Sequence, residues 1–197
     1  MPTTEHRQPP REVAALLAFV NTVDVEDQTD SLTTPAELTR WLWQHAGLAQ
    51  EAAAGAAHLR LARDLRRGMR ALLLLNNGGS PRDADLVAGA RAAGKLPLRL
   101  ELTRGKELVA PADLLRSTSP DPVLAALAGL AANYAVARLT GRWHRLRRCP
   151  REDCAWVFWD SSPRGDRRWC TMRVCGNRAK ARSYAQRRRT GEREAEA

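Results

Sequence analysis

A mainly α protein with a small β-hairpin is what this sequence predicts: a helical N-terminal domain, then a small C-terminal four-cysteine module, treble-clef or ribbon-like, ending in a basic helix. Three observations carry the prediction. Through residues 1–141 apolar side chains recur at helical spacing between proline, cap and glycine punctuation. The only four cysteines of the 197 residues are Cys149, Cys154, Cys170 and Cys175. Of the formal charge of +10, residues 1–141 hold +1, residues 142–190 hold +11 and residues 191–197 hold −2. These divide the chain into a helical domain (1–141), a basic cysteine module (142–190) and a tail expected to be disordered (191–197).

The helices follow in order. Pro9-Pro10 precede Arg11–Val20, whose Val13, Leu16, Leu17 and Val20 share a face. Thr34-Pro35-Ala36-Glu37 is a helix start, with Thr34 as N-cap, Pro35 at the first position and Glu37 closing a capping box; Gly47 ends that helix. A long Ala/Leu/Arg helix is expected over 49–76, with Leu61, Leu65, Met69, Leu72 and Leu73 as its core stripe. Asn77-Gly78-Gly79 breaks the chain, and Ser80-Pro81-Arg82-Asp83 opens a helix that Gly94 closes. Leu98–Leu102 alternates as a strand should, with a turn at 103–106 and a return at 107–110. Asp121 and Pro122 launch a last helix directed at Trp143 and the cysteines. No Gly, Ser or Pro linker intervenes, so the two parts should lie close together.

The cysteine spacing is C-x4-C, fifteen residues, C-x4-C. Two tight knuckles that each deliver two thiolates are what a closed tetrahedral Zn2+ site needs, one structural ion per chain. Two disulfides would require an oxidising compartment, and Met1-Pro2-Thr3-Thr4-Glu5-His6 shows no start of a secretory leader. Thiol redox chemistry is the competing reading, although a C-x-x-C pair would suit it better. No run of about 18 apolar residues stands out, so no membrane span is expected and the protein reads as cytoplasmic. Within the module, a strand at 155–159, a turn at 161–165 and a return through Arg167-Arg168-Trp169 should form the hairpin, and 176–189 the terminal helix.

Fifteen cations against four anions in residues 142–190 suit a polyanion better than salt-bridge decoration. Four thiolates and one zinc ion would still leave about +9 there. Arg167, Arg168, Arg178, Lys180 and Arg182 are the candidate nucleic-acid contacts, gathered by closure of the knuckles. Trp156, Phe158, Trp159 and Trp169 suit a small core around the metal, with base stacking as the alternative. Asn177 could read adenine, bond a thiolate or cap the helix. Asn21 and Asp24 form the one polar cluster of the first region that suggests a small-molecule site, against a plain turn-and-cap role. His45, His58 and His144 are scattered and complete no metal site. No G-x-S-x-G, phosphate-binding glycine loop or H-E-x-x-H occurs, and a closed zinc site leaves no open position for substrate, so no enzyme is expected.

Trp169 to Arg182, W-C-T-M-R-V-C-G-N-R-A-K-A-R, resembles the CGNR zinc-finger family, whose motif stands at Cys175-Gly176-Asn177-Arg178. Cys149-Pro150, Cys154, Trp156, Phe158, Asp160 and Arg167-Arg168-Trp169 fit the same resemblance. Phe19-Val20-Asn21-Thr22-Val23-Asp24, and Thr34-Pro35-Ala36-Glu37-Leu38 followed by Trp41-Leu42, are similar to the helical ABATE domain that precedes this finger in bacterial proteins. The resemblance implies a bacterial DNA-binding transcription regulator and brings no catalytic residues. A homodimer is expected, since many DNA readers pair two half-sites. A protein–protein adaptor docking an acidic partner, or an RNA-binding factor, are the alternatives.

Overall fold

The computed structural model describes residues 8–102, 114–182, 184 and 186. Five α-helices come first: α1 (Arg11–Val20), α2 (Pro35–His45), α3 (Ala56–Leu75), α4 (Asp83–Ala93) and α5 (Pro122–Leu139). Three antiparallel two-stranded ribbons join them: β1 (Val23–Asp24) with β2 (Thr29–Asp30), β3 (Leu98–Leu100) with β4 (Leu115–Ser117), and β5 (Leu146–Arg148) with β6 (Val157–Trp159). A 3₁₀ turn, Arg142–Arg145, links α5 to β5; a π turn, Met172–Gly176, opens the helical residues 177–182.

The helix starts follow their cap chemistry. Thr34 Oγ accepts from the Glu37 amide and the Glu37 carboxylate accepts from the Thr34 amide, a complete capping box ahead of Pro35. Asp121 caps α5 by accepting from the Val123 and Leu124 amides. α3 starts seven residues later than expected. Residues 49–55 are held off helix by the Ala52 amide bonding the Ala49 carbonyl and the Ala54 amide bonding Thr39 Oγ on α2. α5 also stops earlier than its apolar run suggests, at Leu139, where Gly141 turns the chain with φ 71°.

Two pairings differ from the sequence expectation. β3 is joined by Leu115–Ser117, in register Leu98 with Ser117, while the expected return at 107–110 lies outside the described residues. β6 pairs not with Arg167–Trp169 but with β5, ahead of the first cysteine, in register Leu146 with Trp159 and Arg148 with Val157. The hairpin therefore encloses the first cysteine pair instead of joining the two pairs. The tail 191–197 and residues 187–189 of the expected terminal helix also lie outside the described residues.

One apolar core runs through both parts of the chain. Leu16, Phe19 and Val20 of α1, Leu65 and Leu73 of α3, and Leu127 and Leu130 of α5 are fully or almost fully buried. The same cluster contains Trp143, Leu146 and Val157, with Trp159 packed against it. The hairpin carrying the cysteines thus contributes to the core of the helical region. α3 and α4 meet at glycines: a Cβ on Gly68 would fall on the Gly89 Cα, so the backbones touch. α5, at 18 residues and mean hydropathy 1.4, is the one described helix long and apolar enough to cross a membrane, although no span was expected. Its Val123, Leu127, Leu130 and Val136 are buried inside the protein, as in a core helix, while Leu139 at its end is exposed.

Candidate metal centre and nucleic-acid interface

The first knuckle hangs from the hairpin. The Cys149 amide bonds the Trp156 carbonyl, and the Cys154 and Ala155 amides both bond the Arg151 carbonyl, closing a turn that brings the two cysteines together. Ala155 holds φ 50°, a left-handed conformation uncommon for a residue with a Cβ. Its carbonyl is held by Arg70 Nη2 of α3 at 2.9 Å, while Arg70 Nη1 bonds the Val20 carbonyl. The second knuckle is the π turn, tied by the Gly176 amide to the Thr171 carbonyl.

The four sulfurs all lie within 4.8 Å of one another. Cys154 and Cys170 are 3.6 Å apart and Cys170 and Cys175 3.4 Å. A tetrahedron of thiolates at about 2.3 Å from zinc has edges of about 3.8 Å, whereas a disulfide would need about 2.05 Å. The spacing therefore fits four ligands around one ion, and all four cysteines are free. Cys149, Cys154 and Cys175 are buried with Trp169 and Cys170 against them. Burial pushes the Cys154 thiol up to about 11 and raises Cys170 as well, so without a cation these groups stay protonated at neutral pH. A divalent metal reverses that preference. Arg151 Nη1 lies 3.4 Å from Cys175 Sγ, a fixed positive charge beside the cluster, and its guanidinium also grips Asp153.

Three arginines of the module, Arg145, Arg147 and Arg167, serve as backbone braces. Arg145 donates to the carbonyls of Asp160 (3.1 Å) and Ser162 (2.6 Å), and Arg147 to that of Gly165 (2.6 Å). The loop after β6 is wound on Asp160, fully buried, which accepts from the amides of Ser162 and Arg167. Burial alone would raise the Asp160 carboxyl; the Ser162 and Arg167 hydrogen bonds and the Arg147 charge outweigh it and hold it below the ordinary range. Arg167 lies over the Phe158 ring at 4.9 Å and donates to the carbonyls of Trp169 and Cys170.

Of the expected contacts, Arg168, Arg178, Lys180 and Arg182 are exposed, and Arg167 is half-buried and committed to the second knuckle. Arg178 pairs with Glu26 of the β1–β2 turn at 3.1 Å, and Arg182 with Asp153 at 3.0 Å. Arg164 and Arg173 are also exposed, cations the sequence reading did not single out. The aromatic residues divide: Trp169 lies on the sulfur cluster, Trp159 against the main core, Phe158 under Arg167, and Trp156 is 38% exposed. Asn177 Nδ2 bonds the Arg173 carbonyl across the π turn.

Asn21 and Asp24 have structural partners. Asn21 takes the Val157 amide on its Oδ1 (3.0 Å) and gives its Nδ2 to the Val157 carbonyl (2.8 Å), so its side chain stands where a neighbouring strand's peptide would. Asp24 accepts from the Glu26 and Asp27 amides in its turn. Asn76, expected only as the end of the long helix, and Asn77, expected only to break the chain, reach the carbonyls of Trp143, Leu146, Arg148 and Arg168. No sequence pattern marks these bonds, because each joins residues far apart in the chain.

The family model of the CGNR zinc finger matches residues 145–188. The ABATE model, whose description reads "Putative stress-induced transcription regulator", matches residues 14–153, well over half the chain. The chain belongs to the ABATE family and carries a CGNR zinc finger. The two matches overlap over residues 145–153, the stretch that holds β5 and the opening of the first knuckle. Both families are regulatory and non-catalytic. No curated protein matches the chain.

Proposed function

We propose that this ABATE–CGNR protein is a zinc-dependent, DNA-binding transcription regulator acting in the cytoplasm, with Cys149, Cys154, Cys170 and Cys175 as the four thiolate ligands of one structural Zn2+. The observation that carries the reading is four sulfurs within 4.8 Å of one another inside a segment of charge +11. A closed all-cysteine site supplies folding energy and no chemistry; on the zinc-finger scale that is about 10–16 kcal/mol of apparent binding energy.

Arg168 and Lys180 are the principal phosphate contacts in this reading, with Arg178 and Arg182 exchanging a carboxylate for a phosphate when DNA docks. Arg164 and Arg173 extend the same set. Arg167 positions the second knuckle. Pairing of two chains would let two fingers address two half-sites, and light scattering at tens of micromolar should return a dimer mass. A helical domain fused to such a finger suits a sensor of a small-molecule signal.

The test is a salt titration of duplex binding by the zinc-loaded chain. With about five phosphates neutralised, log affinity should fall against log salt with a slope of about −4 to −5. Arg168→Ala and Lys180→Ala should each flatten the slope by about one unit for every sequence. Arg167→Ala should instead lower stability and leave the slope of the folded fraction unchanged. Preference for single strands or RNA duplex in competition would move the reading to RNA. Absence of nucleic-acid binding at low salt would leave a basic adaptor for an acidic protein.

A further inference from the structure

A cavity of about 670 Å³ lies away from the cysteines, between the start of α1, the end of α2, β4 and the middle of α5. Its floor is the small-residue face of α5, where Ala126, Gly129 and Leu130 leave room; a Cβ on Gly129 would meet nothing within 4 Å. Its rim is polar and cationic. Arg11, Arg116, His45 and Asn133 reach it from four different elements. Arg116 is tied to Glu101 at 3.1 Å. The acid beside Arg11 in sequence, Glu12, gives its carboxylate to Arg142. Arg11 therefore faces the cavity with its neighbouring acid already engaged. Small apolar residues of α5 beneath two arginines, a histidine and one asparagine make a cavity too roomy and too polar for a packing defect, which would be small and dry.

We propose that this cavity is a binding site for a small organic anion, a carboxylate carried on an apolar or aromatic body, with Arg11 and Arg116 facing the carboxylate, Asn133 and His45 as further hydrogen-bonding groups, and the Ala126–Gly129–Leu130 floor holding the body. Charge-assisted, bidentate contacts from arginine select a carboxylate over a neutral group of the same shape. Two of the three helices that line the cavity continue to the finger, α1 through Asn21 to Val157 and α5 through the 3₁₀ turn to β5. An occupant would thus sit between the helices that hold the hairpin.

The probe is benzoate, with benzamide as its neutral counterpart, titrated into the zinc-loaded full chain and followed by amide chemical shifts. Benzoate should give saturable shifts at residues 125–133 and 115–117, and benzamide should bind about tenfold or more weakly. Gly129→Leu fills the floor with a good helix former and should fold at least as well as the parent, while losing benzoate binding about tenfold or more. Arg11→Gln should reduce the preference for benzoate over benzamide. Because the readout is ligand binding alone, failure of the DNA reading would leave this result standing. Shifts that fail to saturate, that fall elsewhere, that are equal for benzamide, or that survive unchanged in Gly129→Leu would overturn the proposal.

Discussion

Arg70 shows what a single buried cation does here. Burial lowers its pKa to about 10, with the nearby charges of Arg148 and Arg66 adding to the effect, and it remains charged at neutral pH. Its two bonds join the end of α1 to the left-handed Ala155 of the first knuckle. Arg70→Met keeps much of the volume but strands two buried carbonyls, so a cost of about 2–4 kcal/mol is expected in a urea melt, together with weaker zinc retention against a chelator. Asp30 gives a pH-dependent counterpart. Burial would raise its carboxyl, but the bidentate Arg66 pair, the Leu32 amide and Arg63 prevail and hold it below the ordinary carboxylate range. A carboxylate with a depressed folded pKa contributes stability that is complete above the unfolded value and lost as pH falls through the folded one. Asp30→Asn should therefore lower stability at pH 7 and narrow its gap to the parent as pH drops below about 4, seen as converging melting temperatures.

At the scale of elements, the α3–α4 contact is the most exacting. The Gly68 and Gly89 backbones touch, so Gly68→Ala must push the helices apart despite alanine's better helix propensity, and we expect a loss of about 1–3 kcal/mol by thermal melt. The sequence made the helices legible because caps and prolines are local signals: Thr34, Pro35, Asp121 and Pro122 stand at helix starts. The cysteine cluster was equally legible from spacing alone. What local pattern could not convey was partnership. Val157–Trp159 reads as a strand in any context, but whether Leu146–Arg148 or Arg167–Trp169 completes it depends on contacts that α3 and Asn21 make from afar. Arginine was misleading for a related reason. Composition counts charge, and only the fold decides that Arg145, Arg147 and Arg167 aim at carbonyls while Arg168 and Lys180 remain at the surface.

For the whole molecule, the shared core sets how the parts respond together. Trp143, Leu146 and Val157 are fully buried in the cluster that holds α1, α3 and α5. Stripping the metal with a strong chelator should therefore lower the thermal midpoint of helix melting as well as release the knuckles, and the helical and tryptophan signals should fall in one transition. Two well-separated transitions, the helical one unmoved by the chelator, would contradict this. The Asn21 side chain carries the same interdependence into evolution and engineering. By standing in for a strand at Val157, it makes the finger a poor candidate for transplantation: residues 142–190 grafted behind an unrelated helical domain would keep every cysteine yet arrive with one edge of the hairpin bare. Recombination that preserves the four-cysteine site would have to move the end of α1 along with the finger.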